Sequence, residues 1–468
     1  MDEFLSACRA LVGSNYLLRD QVDVLPYETE WRQRVRGKAL AVILPATTAE
    51  VAAIVVLCGR FGVAIVPQGG NTGLVLGSIP DQSGSAIILS LKRMHAIRAI
   101  DSVNNTMIVE AGCLLEHVQQ AAAAAGRLYP LALASQGNCT IGGNLATNAG
   151  GTAVLRYGNA RELCLGLEVV NADGSIWHGL KALRKDNTGY DLRDLFIGAE
   201  GTLGIITAAV LKLYPQARSS STVLLALATP SDALAMLNLA RSTLGATLSG
   251  FELIADFCLT LVEKHFPSLH TPFAQRHPYY VLLEISDHQA QPQAGHAIEA
   301  LLELALAQGL IADAVLASSI AQARNLWALR ENISLAQGTE GKNIKHDISL
   351  PISEIPAFIE YMATCLEQHY PGCRTVCFGH MGDGNLHYNI SAPEHVDKQD
   401  WLTQQAAINR LVHDQVDRMH GSISAEHGLG SLKREEIKRY KSDTELALMR
   451  AIKMALDPQN LMNPGKVL

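Results

Sequence analysis

No apolar stretch of this 468-residue chain approaches the roughly eighteen residues that a membrane span needs; runs such as 51–57 are cut short by polar residues or glycine. The mean hydropathy of +0.12 therefore points to well-filled interiors, and no integral membrane contact is expected. The opening Met-Asp-Glu-Phe is acidic, with neither the basic start of a secretory signal nor Arg/Ser-rich transit character, and reads as that of a cytoplasmic protein. Cysteine is sparse and unpatterned: nine residues, an odd number, with no C-x-x-C pair, which argues against a disulfide framework and against a cysteine-built zinc site. Basic residues are outnumbered, 38 against 45 acidic, and the net charge of −7 with no long basic block argues against a nucleic-acid partner. An anionic substrate would need positive charge placed locally. Charged residues make up only 18% of the chain and hydrophobic ones 48%, too little polarity for extensive disorder and enough length for two or three cores. Neither a helix-opening G-x-G-x-x-G nor a G-x-x-x-x-G-K-[ST] is present, so nicotinamide-first and P-loop chemistries lose their usual sequence support.

What the chain does have is a pair of histidines around a turn. His380-Met-Gly-Asp-Gly-Asn-Leu-His387 reads as a hairpin, because Gly accepts positive φ and Asp supports turns, and a hairpin brings both rings together. Some forty residues on, Ser424-Ala-Glu-His-Gly-Leu-Gly430 supplies Glu426 as a third ligand. Two imidazoles and a carboxylate suit zinc, with manganese or cobalt also compatible, and three protein ligands leave a position open for substrate. His427 is then placed to accept a proton. The plainer alternative is that these histidines cap strands or bond backbone carbonyls.

The organisation is α+β. After a helical opening segment to about residue 40, Thr47-Thr-Ala-Glu50 reads as a capping box for a helix over 47–60, followed by a strand at 63–66. Strands at 86–90 and 107–110 alternate with a helix at 115–125. Beyond 218 glycine thins out, helical spacing appears at 233–244 and 297–307, and a strand is predicted at 279–284. The predicted divisions are 1–217, then 218–410 with the histidine hairpin, then 411–468.

Glycine is unevenly spread: of 38 residues, four fall in 67–80, five in 137–151 and three in 198–204, where even scattering would place about three in all. Bare backbone of this kind can cradle a pyrophosphate in a nest of N–H groups; glycine-rich turns without a ligand are the alternative.

On Pro67-Gln-Gly-Gly-Asn-Thr-Gly73, Gly142-Gly-Asn-Leu-Ala-Thr-Asn-Ala-Gly-Gly151, Ile197-Gly-Ala-Glu-Gly-Thr-Leu-Gly-Ile-Ile-Thr207, the histidine hairpin and Ala425-Glu-His-Gly428, the chain resembles the FAD-linked dehydrogenases and oxidases of the vanillyl-alcohol oxidase type over almost its whole length. Ser135-Gln-Gly-Asn-Cys-Thr-Ile141, Leu183-Arg-Lys-Asp-Asn-Thr-Gly-Tyr-Asp-Leu192 and Lys345-His-Asp-Ile-Ser-Leu-Pro351 are similar to the D-2-hydroxyglutarate dehydrogenase branch. The resemblance implies a two-lobed flavin domain, an α+β substrate domain and a helical C-terminal segment that returns to the flavin domain.

Carried over by position, the resemblance implies that Pro67, Gln68, Gly69, Gly70, Asn71, Thr72, Gly142, Gly143 and Asn144 meet the pyrophosphate, with Gly137, Thr140, Asn148 and Gly151 shaping the same cavity. Glu200, Gly201, Gly204 and Ile206 would hold the ribityl or adenine part, and Asn463 would sit near the flavin ring. Asn71 stands where some relatives have a histidine bonded to the flavin, so non-covalent FAD is expected. Arg330, Ser334 and Lys345 match positions that grip substrate carboxylates, with Arg330 and Ser334 on one helix face by spacing; without the resemblance such Arg and Lys side chains would read as solvated surface charges. Asn385 would donate to the bound carboxylate or brace the turn. The implied reaction is oxidation of a small anionic D-2-hydroxy acid, D-2-hydroxyglutarate or D-malate, to the 2-oxo acid, with hydride passing to FAD, the metal at the substrate hydroxyl and His427 as base. D-lactate dehydrogenase and the glycolate oxidase flavin subunit remain alternatives, as do a flavin- and metal-binding protein without activity and a metal hydrolase. A quinone or an electron-transfer flavoprotein would reoxidise the flavin, and relatives suggest a homodimer.

Overall fold

The computed structural model describes residues 1–287, 291–394 and 396–468. The fold is α+β and forms two compact units: 1–150 with 158–216 and 426–468, and 151–157 with 217–425. The sequence had suggested a boundary near 410; instead the helix Gln405–Arg418 belongs to the second unit, where Ile408, Val412 and Val416 complete its core.

In the first unit, Thr47 caps the helix Thr48–Phe61 by accepting from Glu50 N at 3.1 Å, a cap worth about 1 kcal/mol. Glu50 in turn accepts from Ala46 N, and Gly62 ends the helix in the left-handed region. The helix buries Val51, Ile54, Val55 and Cys58. Two main sheets make up the unit, together with a two-stranded ribbon of Arg127–Leu128 and Tyr214–Pro215. One has the strand order Leu17–Leu18, Ala41–Ile43, Ile87–Ser90, Ile65–Gln68, and the last three are parallel. The other is antiparallel, in the order Ile97–Asp101, Thr106–Glu110, Ile205–Lys212, Cys164–Val170, Ile176–Gly179. Ile65–Gln68 is an edge strand, which is where Pro67 can be tolerated. The C-terminal segment covers part of that edge: Ile65 N donates to Leu461 O and Asn463 N to Ile65 O, both at 2.8 Å.

The second unit is built on a seven-stranded antiparallel sheet in the order Asp313–Leu316, Ser219–Leu227, Tyr279–Asp287, Leu248–Ala255, Arg374–His380, Asn385–Ser391, Asp347–Ser349. Strand alternation divides its side chains between two cores. Val223, Leu225 and Leu227 join the cluster containing the helices Pro230–Leu244 and Ile355–His369, whereas Leu224 and Ala226 join that containing Asp256–His265. Residues on successive strands are thereby held in fixed register, and that register places the histidine hairpin. No helix among the described residues is long and apolar enough to cross a membrane.

Candidate functional site

A cleft of about 970 Å³ opens in the first unit between the segments 67–73, 139–147 and 200–206. Its glycines are needed first because two loops nearly touch. A Cβ on Gly70 would lie 2.0 Å from Asn138 O, and one on Gly69 would lie 2.3 Å from Thr140 Oγ1. The wall is therefore largely backbone. Two buried polar atoms of wall residues, Gln68 Oε1 and Asn144 Nδ2, have no protein partner, although Gln68 Nε2 donates to Tyr27 O and Ser78 O at 2.8 Å. Buried polar groups are seldom left unpaired, so an acceptor and a donor await a ligand that has hydroxyls and anionic oxygens. A flavin dinucleotide carries both kinds of group, and these residues fit it.

Pro67, Gln68, Gly69, Gly70, Asn71, Thr72, Thr140, Gly142, Gly143, Asn144, Glu200, Gly201, Gly204 and Ile206 all line the cleft. Gly137, Asn148, Gly151 and Asn463 do not. Gly137 is exposed; Asn148, at φ 50°, accepts from Arg161 N at 3.0 Å; Gly151, at φ 115°, belongs to the second unit. Asn463 braces the wall from behind, donating to Gly77 O at 2.9 Å and Glu200 O at 2.8 Å. Asn71 is pinned by its amide, which donates to Thr29 O at 2.8 Å and accepts from Ser78 Oγ. The Glu200 carboxylate is turned to the protein: it accepts from Leu429 N at 2.7 Å and Gly430 N at 2.8 Å, clamping the loop that follows His427. Burial pushes the Glu200 carboxyl up, against the pull of those N–H groups and of Lys466. His427 itself lines the cleft, as do the apolar Val75, Leu91 and Phe196, which no sequence signal marked.

In the second unit, the strands Arg374–His380 and Asn385–Ser391 form the expected hairpin, and the two histidine rings lie 5.9 Å apart between centroids. Gly384 is required at the turn, with φ 94° and its missing Cβ only 2.4 Å from Leu350 O. Each ring has a buried carboxylate on the Nδ1 side. Glu252 stands opposite His380 in the register of adjacent strands and accepts from its Nδ1. Asp347 stands opposite His387, with Oδ1 3.8 Å from Nδ1. The hydrogen bond at His380 Nδ1 leaves Nε2 as its ligating atom, the arrangement that orients metal-binding imidazoles. Ala425 N is held by Asp347 O at 3.3 Å, and one peptide further on comes Glu426. His380, His387 and Glu426 each offer a ligand atom within 4.8 Å of the others. Two neutral nitrogens and a carboxylate fit zinc or a similar divalent ion.

The residues matched to substrate carboxylates are less uniform. Arg330 is buried, its Nε donating to Glu252 Oε2 at 2.7 Å and its guanidinium lying 4.7 Å over the Phe378 ring. Burial pushes the Glu252 carboxyl up, but the Arg330 guanidinium and the hydrogen bonds from His380 and Arg330 outweigh it and hold the group down to about 2. Ser334 does not share a helix face with Arg330. The helix Ile320–Glu331 ends at Asn332, a second helix begins at Ile333, and Ser334 is exposed. Lys345 is half-buried. Asn385 is braced rather than available as a donor, because its Nδ2 donates to Asp347 Oδ1 and Ile348 O, each at 3.0 Å. Sequence reasoning missed Glu252 and Asp347. A lone carboxylate inside the apolar strand Leu248–Ala255 was the available signal for Glu252, and membership in the 345–351 motif was that for Asp347.

Two protein families match most of the chain. Residues 39–179 match the FAD binding domain family and 216–467 match FAD linked oxidases, C-terminal domain. The chain is 40% identical over 453 residues to D-2-hydroxyglutarate dehydrogenase of Xanthomonas citri pv. viticola, covering 96% of this chain and 94% of that one. It is 39% identical over 456 residues to the mitochondrial D-2-hydroxyglutarate dehydrogenase of Bos taurus, covering 97% and 81%. Among solved structures, p-cresol methylhydroxylase with substrate bound superposes at a TM-score of 0.77 with 17% identity, covering 100% of this chain and 96% of that one. Alkyldihydroxyacetonephosphate synthase follows at 0.73 and 16%, covering 99% and 84%. These last two show the fold alone.

Proposed function

The chain belongs to the FAD-linked oxidases of the vanillyl-alcohol oxidase type and is an FAD-dependent D-2-hydroxyacid dehydrogenase, and from that premise we propose that it oxidises D-2-hydroxyglutarate to the 2-oxo acid with the help of a divalent cation. The observation that carries the proposal is the dipeptide Glu426-His427: the first side chain belongs to the ligand trio, and the next lines the glycine-walled cleft.

Bound FAD supplies a hydride acceptor at its N5. A cation on His380, His387 and Glu426, zinc in this reading with manganese or cobalt as substitutes, supplies Lewis acidity at the substrate hydroxyl. The protein's own residues do the rest. His427 takes the hydroxyl proton. Arg330 and Lys345 neutralise carboxylate charge, and two cations are more than a one-carboxylate acid requires, which favours a diacid. Ser334 is the least supported contact, since it lies on a separate helix and is exposed. Asn71, with its amide pinned and no nucleophilic atom, supports non-covalent flavin.

Relatives named for D-2-hydroxyglutarate favour that substrate over D-malate. Steady-state kinetics on a panel of D-2-hydroxy acids tests it: the five-carbon diacid should give the highest kcat/KM. A far higher value for D-lactate or glycolate would replace the reading with a monoacid dehydrogenase. A quinone or electron-transfer flavoprotein as oxidant, and a homodimer, extend the same proposal. All nine cysteines are free and eight are buried, which supports a reducing compartment such as the cytoplasm.

A further inference from the structure

Glu252 is fully buried in the middle of the seven-stranded sheet of the second unit, and its two oxygens serve different partners. Oε1 accepts from Nδ1 of His380, the residue opposite it on the neighbouring strand, and Oε2 accepts from Arg330 Nε at 2.7 Å. Among the described residues the Arg330 Nη nitrogens donate no hydrogen bond, and the guanidinium carbon lies 4.7 Å over the centroid of the Phe378 ring, within cation–π reach. A buried ion pair such as Glu252–Arg330 is a poor source of stability, because well-packed apolar side chains of the same volume often do as well or better. Its retention in an otherwise apolar strand calls for another reason.

We propose that Glu252 is a positioning residue that ties the cation ligand His380 to the carboxylate-binding Arg330. One oxygen fixes the ring so that Nε2 faces the cation; the other fixes the guanidinium so that its Nη groups face the substrate. The inference rests on the function proposed above. Its consequence is a fixed span between the two anchor points of one substrate molecule, set by a single side chain. Changing that side chain should disturb the cation and the substrate carboxylate together, whereas an ordinary ligand or an ordinary substrate contact would disturb only one of them.

The test uses the full chain with FAD bound, stripped of metal by a chelator and titrated with Zn²⁺ against a chromophoric competitor. Glu252→Gln keeps the shape but offers one acceptor oxygen in place of two, so Zn²⁺ affinity should fall about 10- to 100-fold, the usual effect of losing an imidazole's orienting partner. KM for the diacid should rise in the same variant, with FAD content unchanged. Glu252→Asp keeps the charge but is too short to reach both partners, so it should weaken Zn²⁺ and substrate binding together as well. Folded, FAD-loaded variants that hold Zn²⁺ and substrate within about threefold of the wild type would overturn the role of Glu252 while leaving the proposed function intact, since outer partners ordinarily matter by more than this. A wild-type protein that takes up no Zn²⁺, with His380→Ala changing nothing, would instead remove both.

Discussion

Asp347 stands directly across from His387 on the neighbouring antiparallel strand, as Glu252 does from His380, so each ring of the hairpin faces a buried carboxylate, hydrogen-bonded to Nδ1 at His380 and 3.8 Å from Nδ1 at His387. Strand register alone produces the symmetry. Backbone carbonyls would serve the N–H groups of purely structural histidines, whereas carboxylates on the Nδ1 side suit imidazoles that ligate through Nε2. The arrangement therefore predicts metal dependence. Chelation should abolish turnover and leave the flavin in place, and Zn²⁺, Mn²⁺ or Co²⁺ should restore it. His380→Ala, His387→Ala or Glu426→Ala should each lower metal stoichiometry, measured by elemental analysis. Full turnover of a metal-free preparation would count decisively against the site.

Gly70 makes a separate prediction about the cofactor. A methyl there meets the Asn138 carbonyl at 2.0 Å, and backbone cannot rotate aside as a side chain can. Gly70→Ala should push the 67–73 and 138–143 loops apart, costing about 1–3 kcal/mol as overpacking generally does. Because these loops line the flavin cleft, FAD per chain, read from visible absorbance, should fall about tenfold for each 1.4 kcal/mol of strain that falls on the bound state. A variant with full flavin would mean that the loops are not the cradle.

Much of this was readable in the sequence, and the limits have physical causes. The glycine segments and the hairpin are local patterns, so their residues could be named before any coordinates. Glu252 and Asp347 could not be assigned, because their role arises from pairing between strands far apart in the chain, and no local pattern names the partner strand. Arg330 and Ser334 misled for a related reason: four-residue spacing implies a shared face only in an unbroken helix, and Asn332 breaks this one. Glu200 was expected to face the cofactor; its left-handed backbone, φ 52°, accompanies a carboxylate that reaches the 428–430 loop instead.

That carboxylate has a pH signature. Burial lifts the Glu200 carboxyl above its ordinary 4.5. Between the ordinary and the raised value the native state holds a proton that the unfolded chain has released, so the stability contributed by this group is full below 4.5 and is lost as pH rises through the folded value. Glu200→Gln cannot titrate. It loses one acceptor for the Leu429 and Gly430 N–H groups, a roughly pH-independent penalty. The stability difference, wild type minus variant, should therefore shrink as pH rises across that window. Thermal midpoints of both proteins between about pH 4 and 8 measure it, and parallel curves would show that Glu200 titrates normally.

His427 offers the sharpest test of mechanism, because its neighbours already have other duties. Glu426 is a ligand candidate, and Leu429 and Gly430 are held by Glu200, so the loop is anchored on both sides of the imidazole. The imidazole lines the cleft. His427→Asn keeps a polar group of similar size but cannot accept the hydroxyl proton as imidazole does. If it is the base, kcat should fall about 10²- to 10⁴-fold, the range typical of general-base loss, while FAD content and Zn²⁺ stoichiometry stay at wild-type values. A structural role predicts the reverse pattern, with flavin or metal lost and the remaining loaded enzyme turning over normally. Rapid-mixing measurement of flavin bleaching in the loaded variant separates the two, since it reads the oxidation step itself and is blind to how the flavin is reoxidised. Undiminished bleaching in His427→Asn would take the imidazole out of the proton transfer and leave that role to water or to another side chain.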